Sequence, residues 1–173
     1  MGGFVKRRVL WSLAAIAAAA IPAASAWAAC YSPAEATAVH VRMLQSELMV
    51  AALACRESNP ELGMIDKYNR FVQLHSDGLV SHSRVLQSHF QTRYGAQHRR
   101  QMDTFVTALA NDASKRSMTE KFCDRAAGLF GEISALERRD LGRFSTARAA
   151  ANGSPVATCT SDSGGLKRTA AGQ

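Results

Sequence analysis

Three of the five histidines, His75, His82 and His89, recur every seven residues, and Tyr68 extends the same row. That spacing lines them along one side of a helix. Seven residues advance about 10.5 Å along a helix axis, whereas two nitrogens on one zinc ion, each about 2 Å from it, lie within about 4 Å of each other. The three therefore do not chelate one ion. A metal site on one helix places its ligands three or four residues apart, as in His-Glu-x-x-His. No histidine here has a His, Asp or Glu at that distance. A metal or haem site would need ligands from several helices. The candidates are His40 and Glu47 beside His75, His82 and His89, with Met43, Met49, Met64 or Met102 as the methionine of a His–Met haem pocket. None of these forms a specific signature, so no cofactor is predicted, and the plain reading is a row of boundary histidines packed beside Tyr68.

Nucleophilic chemistry is weakly encoded. Ser81, His82 and Ser83 are sequential neighbours that face different ways on a helix, and no Gly-x-Ser-x-Gly elbow is present. Glu47 sits beside an apolar stripe and is the carboxylate a small hydrolase would use, but a single carboxylate is not a glycosidase pair. A boundary Glu held by an Arg from another helix accounts for it equally well.

Four cysteines in an exported chain point to two disulfides. Cys30 and Cys55 flank a helix of about 25 residues, which separates them by roughly 35 Å or more. They do not pair with each other. In an up-down bundle the end of the first helix and the start of the fourth share one end, which brings Cys55 to Cys123 and leaves Cys30 for Cys159. The alternative for Cys159 is a free thiol or a bond between chains.

Export is read from the N-terminus. Lys6, Arg7 and Arg8 precede an apolar run over residues 9–21, then Pro22 and small residues, the plan of a secretory signal peptide over residues 1–26. The run is shorter than the roughly 20 residues of a membrane-spanning helix. Cleavage after Ala26 or Ala28 is expected, with the periplasm as destination; a lipid anchor at Cys30 and an uncleaved anchor are the alternatives. Removing residues 1–26 takes three of 21 basic residues and none of 14 acidic ones, which leaves a net charge of +4. The remaining basic residues, among them Arg99, Arg100, Arg138, Arg139 and Arg143, are scattered. They lack the basic stripe with interleaved aromatics of a nucleic-acid binder, so no nucleic-acid partner is predicted. Weak association with an anionic membrane surface stays open.

The elements that must position these residues are helices. The chain has 173 residues, 47% hydrophobic and 20% charged, which fits one globular domain and neither a disordered nor a polytopic membrane protein. Ser32-Pro33-Ala34-Glu35 is a capping box with Pro at the first helical position, and an apolar period of three and four carries helix A to about Arg56. Ser58, Asn59, Pro60 and Gly63 break it. Helix B is predicted over residues 64–94, with Gly78 as a potential kink and Gly95 as its stop. Helix C follows from Met102 to about Ala113. Ser117-Met118-Thr119-Glu120 reads as a second capping box, opening helix D, whose stripe runs from Phe122 to Leu141. Of residues 145–173, 19 of 29 are Ala, Gly, Ser or Thr, too little apolar surface to order a tail.

Several segments together carry a resemblance: Leu44-Gln45-Ser46-Glu47-Leu48 through Cys55, Tyr68-Asn69-Arg70-Phe71-Val72, Tyr94-Gly95, Leu109-Ala110-Asn111-Asp112-Ala113-Ser114 and Phe122-Cys123. They resemble a group of small exported helical proteins of Gram-negative bacteria, over about residues 30–130. Some members of that group bear the label S-adenosyl-L-homocysteine hydrolase. That enzyme needs a Gly-x-Gly-x-x-Gly fingerprint in a βαβ unit, which this sequence lacks, so the activity is not carried over.

The expectation is an all-α, antiparallel up-down bundle of about four helices over residues 27–144, clamped by disulfides, with a flexible tail over residues 145–173. The expected role is binding or assembly with a periplasmic protein partner. A His-based metal or haem bundle is the runner-up, and a small hydrolase the third reading.

Overall fold

The structure, a computed structural model, describes residues 30–153 and 156–159. The predicted signal peptide, both cleavage sites and residues 160–173 lie outside the described residues. Six α-helices are present: α1 Pro33–Ser58, α2 Met64–Leu74, α3 Ser76–Tyr94, α4 His98–Ser117, α5 Phe122–Ser134 and α6 Leu141–Ala151. No strand occurs among the described residues beyond a single parallel bridge between Tyr31 and Thr158. With α2 and α3 counted as one bent rod, five rods alternate in direction, so the bundle is all-α and up-down with one rod more than expected.

Helix α1 is the axis. Ser32 and Glu35 form the predicted box: Glu35 N–H donates to Ser32 Oγ at 3.3 Å, and Ser32 N–H donates to Glu35 Oε2 at 2.7 Å. All five other α-helices pack against α1. This explains why it is apolar nearly all round. By length and mean hydropathy it passes for a membrane span, yet most of that surface is buried inside the bundle. The main core joins Leu44, Leu48 and Cys55 of α1 to Phe71, Leu79, Leu129, Ile133 and Leu141. A second, smaller cluster around Ala38, Val39 and Leu86 is covered by Met43, Met102 and Phe105.

Helix D ends at Ser134 rather than at Leu141, which opens α6 instead, and three further expectations are corrected. The bend in the second rod falls at His75 (φ −106°, ψ 15°), not at Gly78. The hydrogen-bond ladder crosses it, from His75 N–H to the Phe71 carbonyl and from Leu79 N–H to the His75 carbonyl. Gly78 instead admits α6: a Cβ there would lie 3.2 Å from Leu141 Cδ2. The second capping box does not form. Ser117 and Thr119 donate back to the carbonyls of Ser114 and Arg116, closing α4, and α5 opens after Lys121 in a left-handed conformation, φ 56°.

The third correction concerns the tail. The helical part does not end at residue 144, because α6 continues to Ala151 and buries Leu141, Ser145 and Ala149. These recur every four residues, so one face of small side chains meets α1 closely although the segment is poor in large apolar residues. Residues 156–159 are also fixed: Tyr31 N–H donates to the Ala157 carbonyl, and Cys159 N–H to the Tyr31 carbonyl. Cys55 is bonded to Cys123 (Cα–Cα 5.7 Å) and Cys30 to Cys159 (5.0 Å), with no free cysteine among the described residues. Two disulfides suit an oxidising, exported environment.

Candidate functional site

The start of α1 and the end of α3 meet at one end of the bundle. Capping of α1 fixes Glu35 in its first turn, and the carboxylate then reaches across the helix boundary. Its Oε2 holds Ser32 N–H, while Oε1 lies 3.0 Å from His89 Nδ1. The His89 side chain is 9% exposed. Carboxylate and imidazole in this arrangement place the proton on Nδ1, and Nε2 makes no hydrogen bond among the described residues.

Aromatic rings hold the imidazole in place. Tyr31 lies 4.7 Å from it, centroid to centroid, and Phe90 packs edge-on at 5.6 Å. Phe90 in turn contacts Phe105 and Tyr94, and the Arg93 guanidinium lies 5.8 Å from the Tyr94 ring. Burial alone would raise the Glu35 carboxyl, but hydrogen bonds from Ser32 and His89 and the charge on His89 outweigh it, so its pKa is lowered. Burial raises the Tyr31 phenol, helped by Tyr94 and Glu35 and opposed by Arg93. Beside this group lies an open cleft of about 400 Å³ lined by Glu35, Ser88, His89, Thr92 and Arg93. In this cleft the Ser88 and Thr92 hydroxyls and the Arg93 guanidinium are donors suited to an anionic group, whereas the Glu35 carboxylate and the Nε2 lone pair of a neutral His89 ring are acceptors.

The surrounding surface has the same sign. Residues 78–102 contain Arg84, Arg93, Arg99 and Arg100 with His82, His89 and His98, and no Asp or Glu. Residues 91–97, Arg99 and Arg100 are exposed. His98 fixes the turn between α3 and α4 through Nδ1, 2.8 Å from the Gly95 carbonyl.

The five candidate residues from the sequence are engaged separately. His40 lies 3.2 Å from Thr146 Oγ1 through Nδ1 and accepts Val156 N–H through Nε2 at 3.3 Å. His75 is 1% exposed, 5.4 Å from the Phe71 ring, and neither of its nitrogens makes a hydrogen bond of normal geometry. His82 packs over the backbone of Gly142. Burial lowers the pKa of all three; at His75 the Ile133 carbonyl opposes the shift and Arg138 adds to it. Glu47 binds Arg148 at 2.8 Å, the cross-helix partner anticipated for a boundary Glu. Among the described residues no three His, Cys, Asp or Glu side chains converge so as to hold a metal ion. Sequence reasoning missed Tyr31, Glu35 and Arg93 as neighbours of His89; the acid-free run over residues 78–102 marks only the α3 side of this group, and no local signal marks Tyr31 or Glu35 as its partners.

No protein-family model, curated protein or solved structure matches the chain.

Proposed function

We propose that the protein is an exported, periplasmic binding or assembly module that holds an acidic segment of a protein partner at the α3–α4 end of its bundle. The observation that carries this reading is the run over residues 78–102, which has four Arg, three His and no acidic residue. A surface of one sign speeds encounter with a partner of the other and fixes its orientation. In the cleft beside it, the Ser88 and Thr92 hydroxyls and the Arg93 guanidinium supply donors for a carboxylate of the partner. The N-terminal signal-like sequence and the two disulfides support export. Helix α1 and both disulfides give the surface a rigid base.

A photo-crosslinking side chain placed at Gln97 and, as a control, at Asp66 tests this in periplasmic extracts. A discrete protein adduct at Gln97, absent at Asp66 and lost in R99E/R100E, is the expected result. No adduct at Gln97, or an adduct indifferent to the charge reversal, refutes it. Flotation of the protein with phosphatidylglycerol vesicles, abolished by the same reversal and without a protein adduct, would assign the surface to the membrane instead.

A further inference from the structure

His75 stands where the second rod bends, between the end of α2 and the start of α3, and only 1% of it is exposed. A buried imidazole normally has its nitrogens hydrogen-bonded. Here neither nitrogen has a partner of normal geometry among the described residues, and the ring lies 5.4 Å from that of Phe71, a member of the main core. The Ile133 carbonyl of α5 faces it. Three residues on, Gly78 admits Leu141 of α6, so the bend is packed under the end of α5 and the start of α6. The charged group that acts on the ring is Arg138, which lies between those two helices and has the sign the ring would acquire. The acids nearby are turned elsewhere. Asp66, Lys67 and Arg70 of α2, Asp77 of α3 and Glu132 of α5 are exposed. Glu137 and Asp140 pair with Arg139 and Arg143, and Glu47 of α1 with Arg148 of α6.

We infer that His75 is an acid-sensitive latch, whose protonation releases the α5–α6 connection from the α2–α3 bend. A proton on the ring would place a cation in an apolar interior, beside Arg138 and without a carboxylate to offset it, which costs too much for the closed state to bear. The ring reaches water only if what covers it moves. The start of α5 is tied to α1 by Cys55–Cys123, and the end of α6 by Glu47–Arg148. Between these clamps, residues 129–141 sit on the bend through the apolar contacts of Leu129, Ile133 and Leu141. That stretch can open as a local unit while the rest of the bundle stays closed. Burial, opposed by the Ile133 carbonyl and joined by Arg138, lowers the pKa of the closed ring below the ordinary 6.5. The open ring takes its proton near that value, so acid favours opening, about tenfold per pH unit below it while the closed ring stays neutral. The latch is separate from the α3–α4 end and does not depend on the proposed partner surface.

Amide hydrogen exchange of the oxidised protein, compared between about pH 7.5 and 5.5 after correction for intrinsic rates, tests it. Protection over residues 72–79 and 129–141 should fall about tenfold, while residues 98–113 of α4 keep theirs. H75L, whose apolar side chain takes no proton, should abolish the local change. Should H75L fail to fold, histidine-labelled wild type read by NMR decides: the His75 ring should titrate below 6.5 in step with the loss of protection over residues 129–141. An H75L profile like that of the wild type overturns the inference. So does protection lost evenly over all six helices, or a His75 ring that titrates while residues 129–141 stay protected or that stays neutral until the whole chain unfolds.

Discussion

His40 of α1 and Val156 are 116 positions apart in the chain, and the Nε2 of one accepts the backbone N–H of the other at 3.3 Å. That bond exists only while Nε2 carries no proton, so the proton of the neutral ring sits on Nδ1 and is donated to Thr146 Oγ1. One imidazole thereby joins α1, α6 and the segment that ends in Cys159.

Acid should therefore loosen this junction. Burial lowers the pKa of His40, His75 and His82 from the ordinary value of 6.5. The unfolded chain then binds more protons than the fold as pH falls through that value, so the stabilisation is complete above about 6.5 and is lost below it. The melting temperature should drop between about pH 7.5 and 5, where histidine titrates, and H40Q should flatten part of that slope. A flat melting profile across this range would refute the assignment.

The Cys55–Cys123 bond closes a separation of 68 residues. The chain-entropy treatment gives it roughly 4 kcal/mol. The double variant C55A/C123A should melt lower by about 10 °C or more, read by circular dichroism under non-reducing conditions.

The Glu47–Arg148 pair is mostly buried, with side chains 19% and 26% exposed. R148A leaves the carboxylate without its partner and should cost about 1–3 kcal/mol in urea unfolding. E47Q/R148Q should cost less than the sum of its single variants, as a coupled pair requires. Strict additivity would show that the contact contributes nothing.

Two helical glycines should respond oppositely to alanine. At Gly128 a Cβ meets nothing, so G128A should stabilise by ~0.5–1 kcal/mol through helix propensity. At Gly142 a Cβ would stand 2.9 Å from Thr37 Cγ2, with the His82 ring next to it. G142A should destabilise by about 1–3 kcal/mol. Equal effects in thermal melts would contradict the close approach of α1, α3 and α6.

Local signals were legible where backbone chemistry decides the outcome. Ser32 and Glu35 satisfy orphan amides within one turn, and Gly95, at φ 50°, stops α3 as its lack of a Cβ allows. Helix α6 was hidden because Leu141, Ser145 and Ala149 bury a face of mostly small side chains, which periodicity of large apolar residues does not register. Ser117 and Glu120 had the letters of a capping box, but the α4 ladder reached Ser117 first. The Glu35–His89 contact spans 54 positions and depends on how α1 and α3 cross, a property of the assembled bundle. For the same reason the histidine row scattered: His75 meets Phe71 within its own rod, His82 meets Gly142 of α6, and His89 meets Glu35 of α1.

The Cys30–Cys159 bond has a topological consequence. Every described residue lies between those two cysteines or is one of them, so the whole described fold is a covalent ring, and Cys55–Cys123 is a chord across it. An exopeptidase working inward meets a closed loop. A single endoproteolytic cut, for instance in the exposed turn at Met118, leaves one molecule with both halves still joined. Such a nicked protein would migrate intact without reductant and as two fragments with it.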